Sequence, residues 1–144
     1  MKFAIRPAKA SDTDALVAIE DECFESPNWA REDFLEHKCL VADCDGKVAA
    51  LIVFRDLFAG DTQTPAEREI LNIAVTPDYR RKGLAKALMM EVLQRSGEFF
   101  LEVRESNLAA RQLYCGLGFV EIARRPNYYQ SPVETAIVMK MKRC

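Results

Sequence analysis

The sequence predicts a mixed α/β fold built on one central sheet. Three observations carry this. Strand-type alternation and helix-type periodicity follow one another along the 144 residues in the order β-α-α-β-β-β-α-β-α-β-β. No internal repeat, low-complexity tract or linker interrupts that order, so one domain is expected over residues 1–144. One stretch, Ile70 to Ser96 (ILNIAVTPDYRRKGLAKALMMEVLQRS), joins an apolar strand to the most periodic helix through a Thr-Pro-Asp turn and three successive cations.

Taken in order, Phe3 to Arg6 alternates as a half-buried strand does. Ser11 opens a helix with Asp14 at the capping-box position, and Leu16, Ile19 and Cys23 form its apolar stripe. A loop carrying Pro27 and Trp29 follows, then a helix over Ala30–Lys38 with Phe34 and Leu35 inward. Leu40–Cys44 and Lys47–Phe54 read as two strands joined at Asp45-Gly46, a hairpin pair. Residues 59–66 form a polar loop, and Glu67–Val75 is the next strand. The helix over Gly83–Ser96 stacks Leu84, Leu88 and Val92 on one face, with Ala85, Met89 and Leu93 beside them. Phe99–Val103 is a strand, and Asn107 caps a short helix running through Cys115. Phe119–Arg125 and Glu134–Lys140 are the last strands, linked by a loop that holds Tyr128 and Tyr129.

Composition narrows the function. A net charge of −2 gives no basic footprint for direct nucleic-acid or membrane-surface binding. No run reaches the roughly 18 apolar residues of a membrane span, and MKFAIRPAKA lacks the apolar core of a signal peptide. A cytoplasmic location is therefore expected. The five cysteines (23, 39, 44, 115 and 144) are odd in number and have no C-x-x-C spacing, which argues for free thiols and against a zinc site. His37 is the only histidine, so no metal is expected, and it reads as a surface residue.

The chemistry concentrates at a few residues. Arg80, Arg81 and Lys82 precede a helix whose N-terminus already carries partial positive charge, an unfavourable placement unless an anion is held there. Gly83 lets a backbone come close to that anion. The nucleotide P-loop and dinucleotide glycine patterns are both absent. Glu102 is the one charge in an apolar strand; it either faces solvent or serves as a proton acceptor in a cleft. Tyr114 either packs beside Leu113 and Leu117 or gives a proton to a leaving anion.

These stretches are recognisable. Val75 to Ala85 (VTPDYRRKGLA) resembles the acyl-CoA signature Arg/Gln-x-x-Gly-x-Gly/Ala of the GNAT N-acetyltransferase superfamily. Leu101 to Phe119 (LEVRESNLAARQLYCGLGF), with Asn127-Tyr128-Tyr129 and Ala136 to Met139 (AIVM), resembles the RimI-type ribosomal-protein-alanine N-acetyltransferases. The resemblance spans nearly the whole chain and is strongest from Leu71 onward. It implies the GNAT fold: a mixed, mostly antiparallel sheet of about seven strands flanked by about four helices. It also implies acetyl-CoA as co-substrate and a protein N-terminal amine as acceptor, in this type the N-terminal alanine of a small-subunit ribosomal protein. A monomer or weak dimer is expected.

The family's roles fall on matching positions. The resemblance implies that the backbone of Ile73, Ala74 and Val75 pairs with the pantetheine arm. The N–H groups of Arg81, Lys82, Gly83, Leu84, Ala85 and Lys86 would wrap the diphosphate, with Arg80 assisting and Asn107 also touching the cofactor. Glu102 would be the general base, through water, and Tyr114 would protonate the CoA thiolate. Trp29, Tyr128 and Tyr129 would flank the acceptor peptide.

This division of labour suits an α-amine, whose pKa near 8 leaves roughly a tenth of it neutral at pH 7 against well under a thousandth of a lysine. Three departures bear on the acceptor side. The turn Gln130 to Thr135 is short and lacks the family's acidic, glycine-bearing segment, the loop from Phe58 to Ala66 is long, and the family's Pro-Trp pair appears as Pro27-Asn28-Trp29. Two other readings remain open. One is acetylation of a lysine or small amine with Glu67 or Glu69 as base; the other is a non-catalytic acyl-CoA-binding module.

Overall fold

Seven strands and four helices form in the predicted order in the computed structural model, which describes residues 2–24, 29–58 and 65–144. Pro27 and the expected loop residues 59–64 lie outside the described residues. The elements are β1 (Ala4–Pro7), α1 (Thr13–Cys23), α2 (Arg31–Glu36), β2 (Lys38–Cys44), β3 (Lys47–Phe58), β4 (Pro65–Val75), α3 (Leu84–Val92), β5 (Gly97–Arg104), α4 (Leu108–Gly116), β6 (Val120–Tyr129) and β7 (Glu134–Arg143). Single 3-10 turns lie at Ala10–Asp12 and Pro77–Tyr79. The strands form one seven-stranded sheet in the order β1-β2-β3-β4-β5-β7-β6. Its β1–β2, β2–β3, β5–β7 and β6–β7 pairs are antiparallel, whereas β4–β5 is parallel. Among the described residues no helix is long and apolar enough to cross a membrane.

The chain divides into two compact units, Met1–Arg55 with Leu71–Gln94, and Asp56–Ile70 with Arg95–Cys144. In the first, Leu16 and Ile19 of α1 and Phe34 of α2 pack with Val41, Val48, Leu51, Val53 and Ala74. The predicted stripe of α3 is buried as expected, at Leu84, Leu88, Met89, Val92 and Leu93. Leu35 departs from its inward assignment: α2 spans only six residues, and the single turn that buries Phe34 leaves Leu35 59% exposed. His37 is half-buried rather than on the surface, its ring edge-on to Trp29 at 5.7 Å.

The entry to α1 also differs. Asp12, not Asp14, closes the capping interaction, accepting the Lys9 N–H at 2.7 Å while its carboxylate takes a two-pronged bond from Arg6 at 2.8 and 3.1 Å. Arg6 also donates to Asp43 at 3.0 Å, tying β1 to β2 and to the helix start. Asp14 pairs instead with Arg31.

In the second unit the predicted apolar run of β5 resolves into alternation. Phe99, Leu101 and Val103 are buried on one face, and Phe100, Glu102 and Arg104 lie on the other, half-buried. Asp56 on β3, its side chain 3% exposed, is bound by Arg68 of β4 at 2.6 and 3.2 Å. Arg95 also approaches Asp56, at 3.8 Å, and lies over the Phe99 ring at 5.2 Å. Helix α3 ends at Val92, short of the predicted Ser96. Helix α4 ends in a Schellman closure, with Gly118 N–H to Cys115 O at 3.1 Å and Phe119 N–H to Tyr114 O at 3.0 Å. Gly118 supplies the positive φ of 106° that this closure requires.

Arg6 holds the Asp12 carboxyl below the ordinary carboxylate range, chiefly by its hydrogen bonds. A carboxylate whose folded pKa is depressed adds stability above its ordinary value, and that stability is lost as pH falls through the folded pKa. Asp12→Ala is expected to cost about 1–3 kcal/mol at pH 7. The gap to wild type should narrow steadily below about pH 4 when urea midpoints are compared across pH. A gap independent of pH would show that the cap, not the ion pair, supplies the stability.

Candidate active site

Two sets of residues are candidates for function, and each lies within one unit. The first follows β4. The parallel ladder of β4 with β5 covers only Glu67–Ile70 against Glu98–Leu101, so Ile73, Ala74 and Val75 lie beyond it. Strand β4 ends where Thr76 N–H bonds Ala49 O at 2.9 Å, and Pro77 fixes the 3-10 turn that follows. Arg81 and Gly83 then take positive φ, 62° and 82°. Arg80 is the last N–H of the turn with a partner, Pro77 O, and Ala87 the first of α3, to Gly83 O. The N–H groups of residues 81–86 in between have no acceptor among the described residues. They are the orphan donors of a helix start, and a Cβ placed on Gly83 would meet nothing within 4 Å. This open, donor-rich cradle fits a diphosphate.

Arg80 itself folds back on the strand. Its Nε donates to Val75 O at 3.0 Å and its Nη2 lies 3.5 Å from Cys23 Sγ, while the Cys23 thiol also donates to Val75 O at 3.3 Å. The exposed side chains of Arg81, Lys82 and Lys86 are the cations beside the cradle. On β4, Asn72 donates to Glu20 at 2.8 Å, a carboxylate that α1 buries to 2% exposure. Trp29 packs against the Phe34 ring at 5.4 Å.

The second set surrounds β5. Period two along the strand puts Glu102 and Arg104 on one face, opposite the buried Leu101 and Val103. Glu102 Oε1 lies 3.6 Å from Arg125 Nη1, and Oε2 is buried with no hydrogen-bond partner. The Glu102 charge reaches both Tyr128 and Tyr129; burial first, and that charge second, push both phenols above their ordinary pKa. Glu69 on β4 acts on Tyr128 in the same sense, and Tyr114 acts on Tyr129. Glu102, Tyr114, Tyr128, Tyr129 and Glu69 are therefore one electrostatic neighbourhood.

Tyr114 stands in the last turn of α4, its ring 6.0 Å from Phe119. Burial pushes its phenol up to about 12. The phenol is thus protonated at any physiological pH. Asn107 caps α4, its Oδ1 accepting Ala110 N–H at 3.2 Å.

Tyr128 and Tyr129 are in β6 rather than in a loop. A register shift between Arg125 and Tyr129, with Asn127 at φ 57°, lets the strand bulge past Pro126 and resume. Their rings meet edge-on at 5.1 Å. Arg125 lies over Tyr128 at 5.5 Å and Arg104 over Tyr129 at 4.5 Å. Sequence reading did not single out either arginine. Arg104 had one legible signal, its place two residues after Glu102 on the same strand face.

A glycine-opened, donor-rich helix start directly after a strand is an anion-binding arrangement that suits the diphosphate of a CoA thioester. The acetyltransferase (GNAT) family model matches residues 10–119, and the chain belongs to that family. It is 45% identical over 149 residues to the [ribosomal protein bS18]-alanine N-acetyltransferase of Escherichia coli K12, covering 95% of each chain. It is 32% identical over 145 residues to the N-alpha-acetyltransferase of Sulfurisphaera tokodaii, covering 89% of this chain and 86% of that one. The crystal structure of the ribosomal-protein-S18-alanine N-acetyltransferase from Escherichia coli superposes with a TM-score of 0.86 at 31% identity, covering 98% and 94% of the two chains. Acetyltransferases of this family draw their acetyl group from acetyl-CoA.

Gly83→Val tests the cradle. A β-branched residue at positive φ costs about 1–2 kcal/mol, and its methyls would enter the space before the donors. CoA affinity by titration calorimetry is expected to fall at least about tenfold, roughly what losing one or two charge-assisted bonds costs. Unchanged affinity would place the diphosphate elsewhere.

Proposed function

We propose that this protein transfers the acetyl group of acetyl-CoA to the α-amine of an N-terminal alanine, that of ribosomal protein bS18. The observation that carries the catalytic part is the buried, unpartnered Glu102 Oε2 in the same electrostatic neighbourhood as Tyr114. The acceptor follows from the 45% identical Escherichia coli relative, which is named for it. A ribosomal acceptor also entails a cytoplasmic site of action.

The thioester of acetyl-CoA supplies the activated acetyl group. The backbone of Ile73 to Val75 holds the pantetheine arm, the N–H groups of residues 81–86 hold the diphosphate, and Asn107 supports the cofactor. The α-amine attacks the thioester carbonyl; a C–N bond forms and the C–S bond breaks. Glu102 takes the amine proton, directly or through one water, for a gain of about 10²- to 10⁴-fold. Tyr114 answers the charge growing on sulfur. A phenol near 12 is a weaker acid than a thiol of about 8.5, so full proton transfer is uphill. Its main contribution is therefore a hydrogen bond to the developing thiolate in a dry setting. Trp29, Tyr128 and Tyr129 border the acceptor peptide.

A second reading, transfer to a lysine or small amine with Glu67 or Glu69 as base, draws on the closeness of Glu69 to Tyr128. Mass spectrometry after incubation with acetyl-CoA separates the two. The acceptors are an alanine-starting bS18-type peptide, the same peptide N-terminally blocked with free lysines, and a polyamine. A single acetyl on the free alanine peptide alone is expected; acetylation of the others would overturn the acceptor assignment. On the productive acceptor, Glu102→Gln should lower kcat by about 10²- to 10⁴-fold. Tyr114→Phe should lower kcat while leaving the acetyl-CoA KM unchanged. Full activity of Glu102→Gln would move the base to β4.

A further inference from the structure

The turn between β6 and β7 is not specified by its own residues. Tyr129 and Glu134 pair across it, and residues 130–133 contain no glycine, yet Ser131 adopts φ 54°. A non-glycine residue in that region persists only where its surroundings over-determine it. Arg104 provides the determination from β5. Its Nη1 donates to Pro132 O at 3.0 Å and to Glu134 Oε1 at 3.2 Å, and its Nη2 donates to Gln130 O at 3.0 Å. The same guanidinium lies 4.5 Å over the Tyr129 ring. Glu134 is held in turn by the Ser106 N–H at 2.6 Å, and Glu105 N–H bonds Thr135 O at 3.1 Å. One planar cation thus fixes both ends of the turn and one aromatic ring.

We infer that Arg104 is a positioning residue for acceptor specificity: it sets Tyr129 and the 130–134 turn relative to Glu102, and so determines which N-terminal residue is accepted. This rests on the reading of Glu102 as the base. The placement is direct, because Glu102 and Arg104 are neighbours on one face of one strand and Tyr129 lies within reach of the charge of both. Arg104 touches no reacting atom in this scheme. It acts through Tyr129, and the planar fork matters: lysine offers a point charge that cannot bridge two carbonyls, a carboxylate and a ring together.

The test is steady-state kinetics of the full chain with peptides starting in Ala, Ser, Gly and Met, in wild type, Arg104→Met, Arg104→Lys, Tyr129→Leu and the Arg104→Met/Tyr129→Leu double variant. Arg104→Met is expected to raise the alanine-peptide KM by about 10- to 100-fold. The acetyl-CoA KM and kcat should stay within about threefold, and the preference among the four peptides should flatten. Arg104→Lys should restore part of the loss. The double variant should be no worse than the poorer single one, because both changes break the same link. An unshifted peptide KM, or losses that multiply in the double variant, would overturn the inference. So would a fall in thermal midpoint that raises both KM values together. If the wild type prefers a different amine, the acceptor reading fails, and the same KM comparison on that amine still decides the role of Arg104.

Discussion

The period-two geometry of β5 is the constraint on which the chemistry depends. Phe99, Leu101 and Val103 fill the core on one face of the strand, so Phe100, Glu102 and Arg104 must take the other. A one-residue slip would bury Glu102 among Ile137 and Met139, which face Val103 and Leu101 across the β5–β7 ladder. The register of β5 therefore puts Glu102 and Arg104 on one face in a single step. Opposite them, β6 returns Tyr128 and Tyr129 to the same neighbourhood after its bulge, and the Schellman closure of α4 sets the position of Tyr114.

The donor-rich start of α3 follows a different logic. Six successive N–H groups have no acceptor among the described residues, where Arg81 and Gly83 turn the chain left-handed just before α3 begins. That is a cost to the isolated fold, which a bound anion offsets. The apolar stripe of α3, with Leu84, Leu88 and Met89 fully buried, holds the helix start still enough for the donors to remain aligned.

Much of this was legible in the sequence, and the exceptions have physical causes. The order of elements, the stripe of α3 and the Asn107 cap rest on local periodicity and local hydrogen bonds. Leu35 was misassigned because a six-residue helix presents too little pattern to fix its rotation. Tyr128 and Tyr129 read as loop residues because Pro126-Asn127 mimics a turn, whereas the strand bulges there and continues. Asp14 looked like the cap, but the 3-10 turn at Ala10–Asp12 moved the helix start and passed that role to Asp12. Of Arg104 only its place on the Glu102 face was legible, not its contacts with the turn. Its partners lie 26 to 30 residues away, and two of them are backbone carbonyls with no sequence signature.

The most direct test of Glu102 as base is a crystal structure of the protein with a conjugate joining CoA to an alanine-starting peptide through an acetyl bridge. The expected result places the alanine nitrogen on Glu102 Oε2, directly or through one water, the sulfur at the Tyr114 hydroxyl, and the diphosphate on the N–H groups of residues 81–86. An alanine nitrogen bound instead to Glu67 or Glu69, with Glu102 still paired to Arg125 and turned from the ligand, would contradict it.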